Sequence, residues 1–192
     1  MEQSRELETT RKRLAGRTGA RDEARKALDL AIGDELAPAW VGTKWTFSGR
    51  ATRPYGGTVA CGHYIGAVLR GAGLQVSSEV GALASARIVR TFAGKSRTRW
   101  RTDQGVQRVV EEVRREGTGL YLLGLDTHVG MLRVRGRAVD LCHSTGSWPR
   151  AVVCEDALAS PSMRSRVHVW GPLLTDETVD AWLAGRRIPL AP

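Results

Sequence analysis

Cys61 stands between a glycine-bearing loop, Pro54-Tyr55-Gly56-Gly57-Thr58-Val59-Ala60, and a run of helical period from Gly62 to Leu74. A cysteine at the first turn of a helix meets the positive end of the helix dipole and N–H groups without intrahelical partners, which favour thiolate over thiol. That placement makes a nucleophile when a base is at hand. Without a base it makes a small buried hydrophobe.

The candidate bases are histidines, of which the chain has four. Gly119 to Leu125 is an apolar run of strand length. It is followed by His128-Val129-Gly130-Met131-Leu132-Arg133-Val134 and Ala138-Val139-Asp140-Leu141-Cys142-His143, set around Arg135-Gly136. The pattern predicts a β-hairpin. With Arg135 and Gly136 as the turn, Val134 faces Arg137 and His128 stands directly opposite His143. The face bearing both histidines continues with Gly130, Leu132, Leu141 and Val139, a core-facing set at period two. Opposed Cβ atoms lie about 4.5–5.5 Å apart, so one imidazole can hold the other. Cysteine, base and orienting group are the parts of a nucleophilic site.

These segments together resemble the NlpC-type cysteine peptidases. Cys61 begins an apolar helix ending in Gly71-Ala72-Gly73-Leu74, His128-Val129-Gly130 lies on a strand, and His143-Ser144 closes the next one. The resemblance covers residues 54 to 146 and implies a papain-like fold in which Cys61 is the nucleophile, His128 the base and His143 the orienting residue. Tyr55, in Pro54-Tyr55-Gly56-Gly57, matches a family tyrosine near the nucleophile and is expected to join the Cys61 N–H in holding the oxyanion. The chain departs from the family at Ala60-Cys61-Gly62-His63, where Asp-Cys-Ser-Gly is usual, and in residues 79 to 117, which insert two helices. The reaction implied is hydrolysis of an amide or peptide bond, with a peptide or peptidoglycan-like substrate and no cofactor. A cytosolic peptidase or isopeptidase is the alternative within the same chemistry.

Other residues could serve the same site. Trp148, in Ser147-Trp148-Pro149, is placed to wall the cleft, and Asp126, two residues before His128, is the fallback orienting residue. Cys142 and Cys154 read as packed thiols, and His168, alternating with Val167 and Val169, as an exposed strand position. A zinc site of Cys61, His63, His128 and His143 has suitable ligand types, but one residue between Cys61 and His63 is shorter than the usual two to four. No metal is expected.

The chain has 192 residues, 42% of them hydrophobic, enough for one domain with a full core. The order of elements, a cysteine-bearing helical part and then a histidine-bearing antiparallel sheet, is α+β. Residues 1–33 read as a basic, mostly helical arm with a thin apolar stripe of Leu7, Leu14, Ala24, Ala27, Leu28 and Ile32, and residues 34–192 as the hydrolase domain. Helices are expected over Glu79 to Phe92, Asp103 to Glu116 and Asp176 to Ala184, the last entered from Thr175, with strands at Ala151 to Cys154 and Val167 to Trp170.

No stretch is long and apolar enough for a membrane span or a secretory signal, and an odd number of cysteines, three, points to reduced thiols. Both observations suggest cytoplasmic synthesis, with a dedicated secretion system or lysis as the route to a cell wall. The net charge of +9 favours acidic partners: nucleic acid, anionic lipid or an anionic polymer. No zinc-finger, RNA-recognition or helix-turn-helix signature accompanies it. A basic binding protein with an inert Cys61 is the rival from another class.

Overall fold

The computed structural model describes residues 2–192. It is α+β, built on a six-stranded antiparallel sheet of order β2-β7-β3-β4-β5-β6. The strands are β2 (Arg99–Thr102), β3 (Gly119–Gly124), β4 (Val129–Arg135), β5 (Ala138–Ser144), β6 (Val152–Asp156) and β7 (Val167–Pro172). Two further short strands, β1 (Gln75–Val76) and β8 (Arg187–Ile188), pair in parallel.

Both faces of the sheet are covered, which is why β3 reads as an unbroken apolar run rather than an alternation. Leu120, Leu122, Val129, Met131 and Cys142 point into the larger core with α1 (Glu2–Leu14), α2 (Ala20–Leu30), α3 (Cys61–Gly71), α4 (Ser85–Arg97) and α6 (Asp176–Leu183). Tyr121, Leu123, Leu132, Val134, Val139 and Leu141 point the other way, onto Val109, Val110 and Val113 of α5 (Val106–Arg115). Thr175 caps α6 by accepting a hydrogen bond from the Thr178 N–H, and Trp182 donates its indole N–H to the Ala72 carbonyl at 2.8 Å.

Residues 2–36 are mostly helical and contribute to the common core. Leu7 and Leu14 of α1 and Ala24 and Leu28 of α2 are buried with Ile32, which lies in the wide helical turn Ala31–Leu36. The thin stripe suffices because α1 and α2 lie against each other and both against α6.

The structure differs from the expectations in several places. The helix expected over 79–92 is broken into a 3₁₀ turn, Ser78–Ala82, followed by α4. The cause is local crowding: a Cβ on Gly81 would fall 2.3 Å from His63 Nδ1, and one on Gly62 would fall 2.4 Å from the Gly81 carbonyl oxygen. This segment lies flat over the start of α3, and the chain re-enters a helix only after passing it.

The hairpin turns at Gly136-Arg137 instead of Arg135-Gly136, so Val134 pairs with Val139 and Arg135 with Ala138. Gly136 has φ +58°, and a two-residue hairpin loop places glycine first where positive φ is required there. The whole of β5 is thereby offset by two residues from the expected pairing. An offset of two preserves which side chains share a face.

Cys142 and Cys154 are cross-strand partners on β5 and β6 and form a disulfide, with Cys61 the free cysteine. This replaces the expectation of packed, reduced thiols, and removes the argument that an odd cysteine count made for a reducing compartment. His168, expected to be exposed, is fully buried, with Nε2 3.0 Å from the Met163 carbonyl, because β7 is an interior strand covered on both faces. Among the described residues no helix is long and apolar enough to cross a membrane.

Candidate active site

A cleft of about 820 Å³ lies where the start of α3 meets the β3–β4 turn and the β5–β6 loop. Cys61, His63, His128 and Ser147 line it, and Trp45 and Phe47 wall one side. Cys61 is half-buried at the first position of α3, after Ala60 in extended conformation (φ −82°, ψ 161°). The first intrahelical bond runs from the Tyr64 N–H to the Ala60 carbonyl, so the N–H groups of Cys61 and its immediate successors are the unpaired donors of a helix start.

The loop that carries Cys61 is fixed from the sheet. Ser144, the residue after His143, is buried and donates a 2.7 Å hydrogen bond to the Val59 carbonyl, two residues before the cysteine. Val59 N–H donates to the Lys44 carbonyl and Ala60 N–H to the Gly49 carbonyl, which ties the 44–50 segment to the same place. The end of β5 and the start of α3 are thus held as one unit.

His128 lies one residue ahead of β4 and His143 near the end of β5. The β4–β5 register, paired from Met131–Cys142 onward, when continued one step sets Gly130 and not His128 opposite His143, and the two rings meet on the diagonal with His128 Nε2 2.6 Å from His143 Nδ1. The missing side chain at Gly130 makes the diagonal contact possible, since a Cβ there would sit 2.6 Å from Leu141 Cδ1 and 3.1 Å from His143 Cβ. His143 is 1% exposed, and its Nε2 is 3.1 Å from Glu155 Oε1 on β6.

This chain of contacts assigns the protons. Glu155 accepts from His143 Nε2–H, which leaves His143 Nδ1 as an acceptor for His128 Nε2–H. His128 Nδ1 then carries the free lone pair. Burial, and secondarily the neighbouring His143, push the His128 pKa down to about 3, so the ring is neutral and proton-accepting. Burial also lowers the pKa of His143, against an opposing pull from Glu155.

Glu155 was not among the expected site residues. Its only signal in the sequence is a polar side chain where an apolar strand ends, and its value depends on which strand lies beside β5. Trp45 lines the cleft, with the Arg150 guanidinium 5.4 Å from its ring centroid.

The other expected residues lie elsewhere. Tyr55, with φ +56°, is 70% exposed outside the cleft; its phenol donates to the Val41 carbonyl and its N–H to Thr43 Oγ1, so it pins a surface loop. Trp148 is 92% exposed and does not line the cleft, because the adjacent Ser147 turns inward in its place. Asp126 lines the cleft, but its carboxylate accepts from Ser165 Oγ and from the N–H groups of Arg166 and Val167, which lowers its pKa and occupies it away from His128. His63 shares the cleft with Cys61; burial first, then Arg50 and Arg70, lower its pKa. Among the described residues no three His, Cys, Asp or Glu side chains converge as metal ligands.

The chain matches no protein-family model, no curated protein and no solved structure.

Proposed function

We propose that the protein is a cysteine hydrolase of papain-like, NlpC-type design that cleaves an amide or peptide bond. The observation that carries the proposal is the relay Glu155–His143–His128, which leaves one imidazole nitrogen free in the cleft that also holds a helix-start cysteine.

In the first step His128 Nδ1 takes the Cys61 thiol proton as Sγ attacks the substrate carbonyl carbon. The oxyanion so formed is held by the N–H groups at the start of α3. His128 then gives its proton to the leaving amine, and a thioester remains on Cys61. Water, activated by His128, releases the acid and restores the thiol. His143 acts by accepting Nε2–H of His128, which aims Nδ1 at the sulfur and favours the tautomer that can accept. Glu155 does the same for His143. The favoured substrate is a peptidoglycan peptide or amide, with an isopeptide or peptide bond in a protein as the alternative.

The test is hydrolysis of peptidoglycan fragments and of a branched isopeptide, followed by the appearance of new amino groups, alongside iodoacetamide modification at pH 6 mapped by mass spectrometry. Cys61→Ala should abolish hydrolysis with an unchanged circular dichroism spectrum, and iodoacetamide should modify Cys61 of the native protein and block hydrolysis. Hydrolysis that survives Cys61→Ala ends the proposal.

A further inference from the structure

The cleft has one rim built from residues 44–55 and 144–150. The two segments lie side by side: Trp45 N–H donates to the Arg150 carbonyl at 2.8 Å, Lys44 bridges to Ala151, and Gly146 packs on the Trp45 ring. The chain has no Asp or Glu between Glu35 and Glu79, and none between Asp140 and Glu155. Lys44, Arg50, Arg53 and Arg150 are all exposed on this rim, and among the described residues none of their side chains has an ion pair or hydrogen bond. Elsewhere some arginines are matched to carboxylates, as Arg21 is to Asp176 and Asp180, and Arg133 to Asp34 and Asp140, while others such as Arg90, Arg137 and Arg187 are not; what sets the rim apart is the absence of acids in its two segments.

Two large aromatics protrude among these cations, Phe47 at 88% and Trp148 at 92% exposure. Exposed aromatic side chains on a rim with unpaired cations and no acids call for a partner that is anionic and also accepts apolar groups. We infer that this rim docks on the surface of an anionic phospholipid bilayer. Lys44, Arg50, Arg53 and Arg150 would face the headgroups, and Phe47 and Trp148 would enter the interfacial layer, where tryptophan and other aromatics are at home.

Single-stranded nucleic acid is also anionic and stacks on aromatics, but a stacking platform is a ring with one face supported by the protein. Trp148 at this exposure has neither face supported, which suits end-on entry into a bilayer interface. The inference does not depend on Cys61 being a nucleophile.

The experiment is co-sedimentation of the full chain with vesicles of phosphatidylcholine alone and of phosphatidylcholine with about a third phosphatidylglycerol, at low and high salt. Binding should be at least about tenfold tighter to the anionic vesicles and should weaken with salt. Trp148→Ser should weaken it about fivefold or more, and Lys44→Gln/Arg53→Gln about tenfold or more. Arg108→Gln/Arg115→Gln, which removes the same charge from α5 outside the rim, should change it little. Equal binding to the two vesicle types, equal losses in the rim and α5 variants, or no loss in Trp148→Ser would overturn the inference. So would an absence of vesicle binding together with tight binding of a single-stranded oligonucleotide, which would assign the rim to nucleic acid.

Discussion

His128 Nε2 lies 2.6 Å from His143 Nδ1 although the β4–β5 ladder, paired from Met131–Cys142 to Arg135–Ala138, when continued one step sets Gly130 opposite His143. The contact is diagonal, one step past the end of β4. Its geometry therefore depends on a side chain that is absent, at Gly130, and on a carboxylate from a third strand, Glu155.

The relay predicts a graded set of variants. His128→Ala should lose most activity, since proton transfer contributes roughly 10²–10⁴-fold. His143→Asn or His143→Gln should retain substantially more than His143→Ala, because an amide oxygen can still accept from the His128 ring. Glu155→Ala should lower kcat about tenfold with little change in KM, and Glu155→Gln should recover much of it. Equal kcat in Glu155→Ala and the parent chain would remove Glu155 from the site.

Gly130→Ala tests the diagonal contact from the other side. The added methyl collides with Leu141 and His143, and overpacking of this kind costs about 1–3 kcal/mol. The larger effect should be on activity, because His143 is displaced from His128. Urea denaturation and kcat measured on the same protein separate the two, and a stable, fully active Gly130→Ala would count against the pairing.

Stability should fall on acidification, through the same two rings. Both have pKa values held below 6.5 in the fold, His128 at about 3, with burial as the main cause. As pH drops through 6.5 the unfolded chain binds protons that the folded chain does not, so folding stability is lost below that pH, with a slope approaching about 1.4 kcal/mol per pH unit from His128 and a contribution of the same sign from His143. Urea midpoints at pH 7, 6 and 5 measure the slope. His128→Gln/His143→Gln should flatten it.

The Cys142–Cys154 bridge joins the strands that carry His143 and Glu155, each adjacent to a bridged cysteine. Denatured, unreduced protein should show one titratable thiol per chain, the remainder of three cysteines after one disulfide. Cys142→Ala/Cys154→Ala should lower stability by about 2–4 kcal/mol and keep activity where the chain remains folded, since neither sulfur faces the cleft. Three thiols in the oxidised protein would contradict the bridge.

The local pattern was sufficient for much of this molecule. Periodicity placed α3, the hairpin and α6, turn chemistry and capping placed Thr175, and period two put His128, His143, Gly130 and Leu141 on a common face. These features depend on neighbours within a few residues, and the information lies in the segment itself. Parity explains why a register two residues off still left His128 and His143 on one face.

What tertiary structure decided depended on the meeting of distant segments. The break before α4 comes from Gly81 pressing on His63 and Gly62, and the burial of His168 from β7 lying inside the sheet. Glu155 joins the relay, and Cys142 finds Cys154, only because β6 pairs with β5 in one register. Tyr55 and Trp148 point away from the cleft while Trp45 lines it, because loop direction is set by hydrogen bonds to remote carbonyls such as that of Val41. A residue's type and spacing can nominate it for chemistry. Its place in the site is settled by the strand or loop that packs beside it, which no local period encodes.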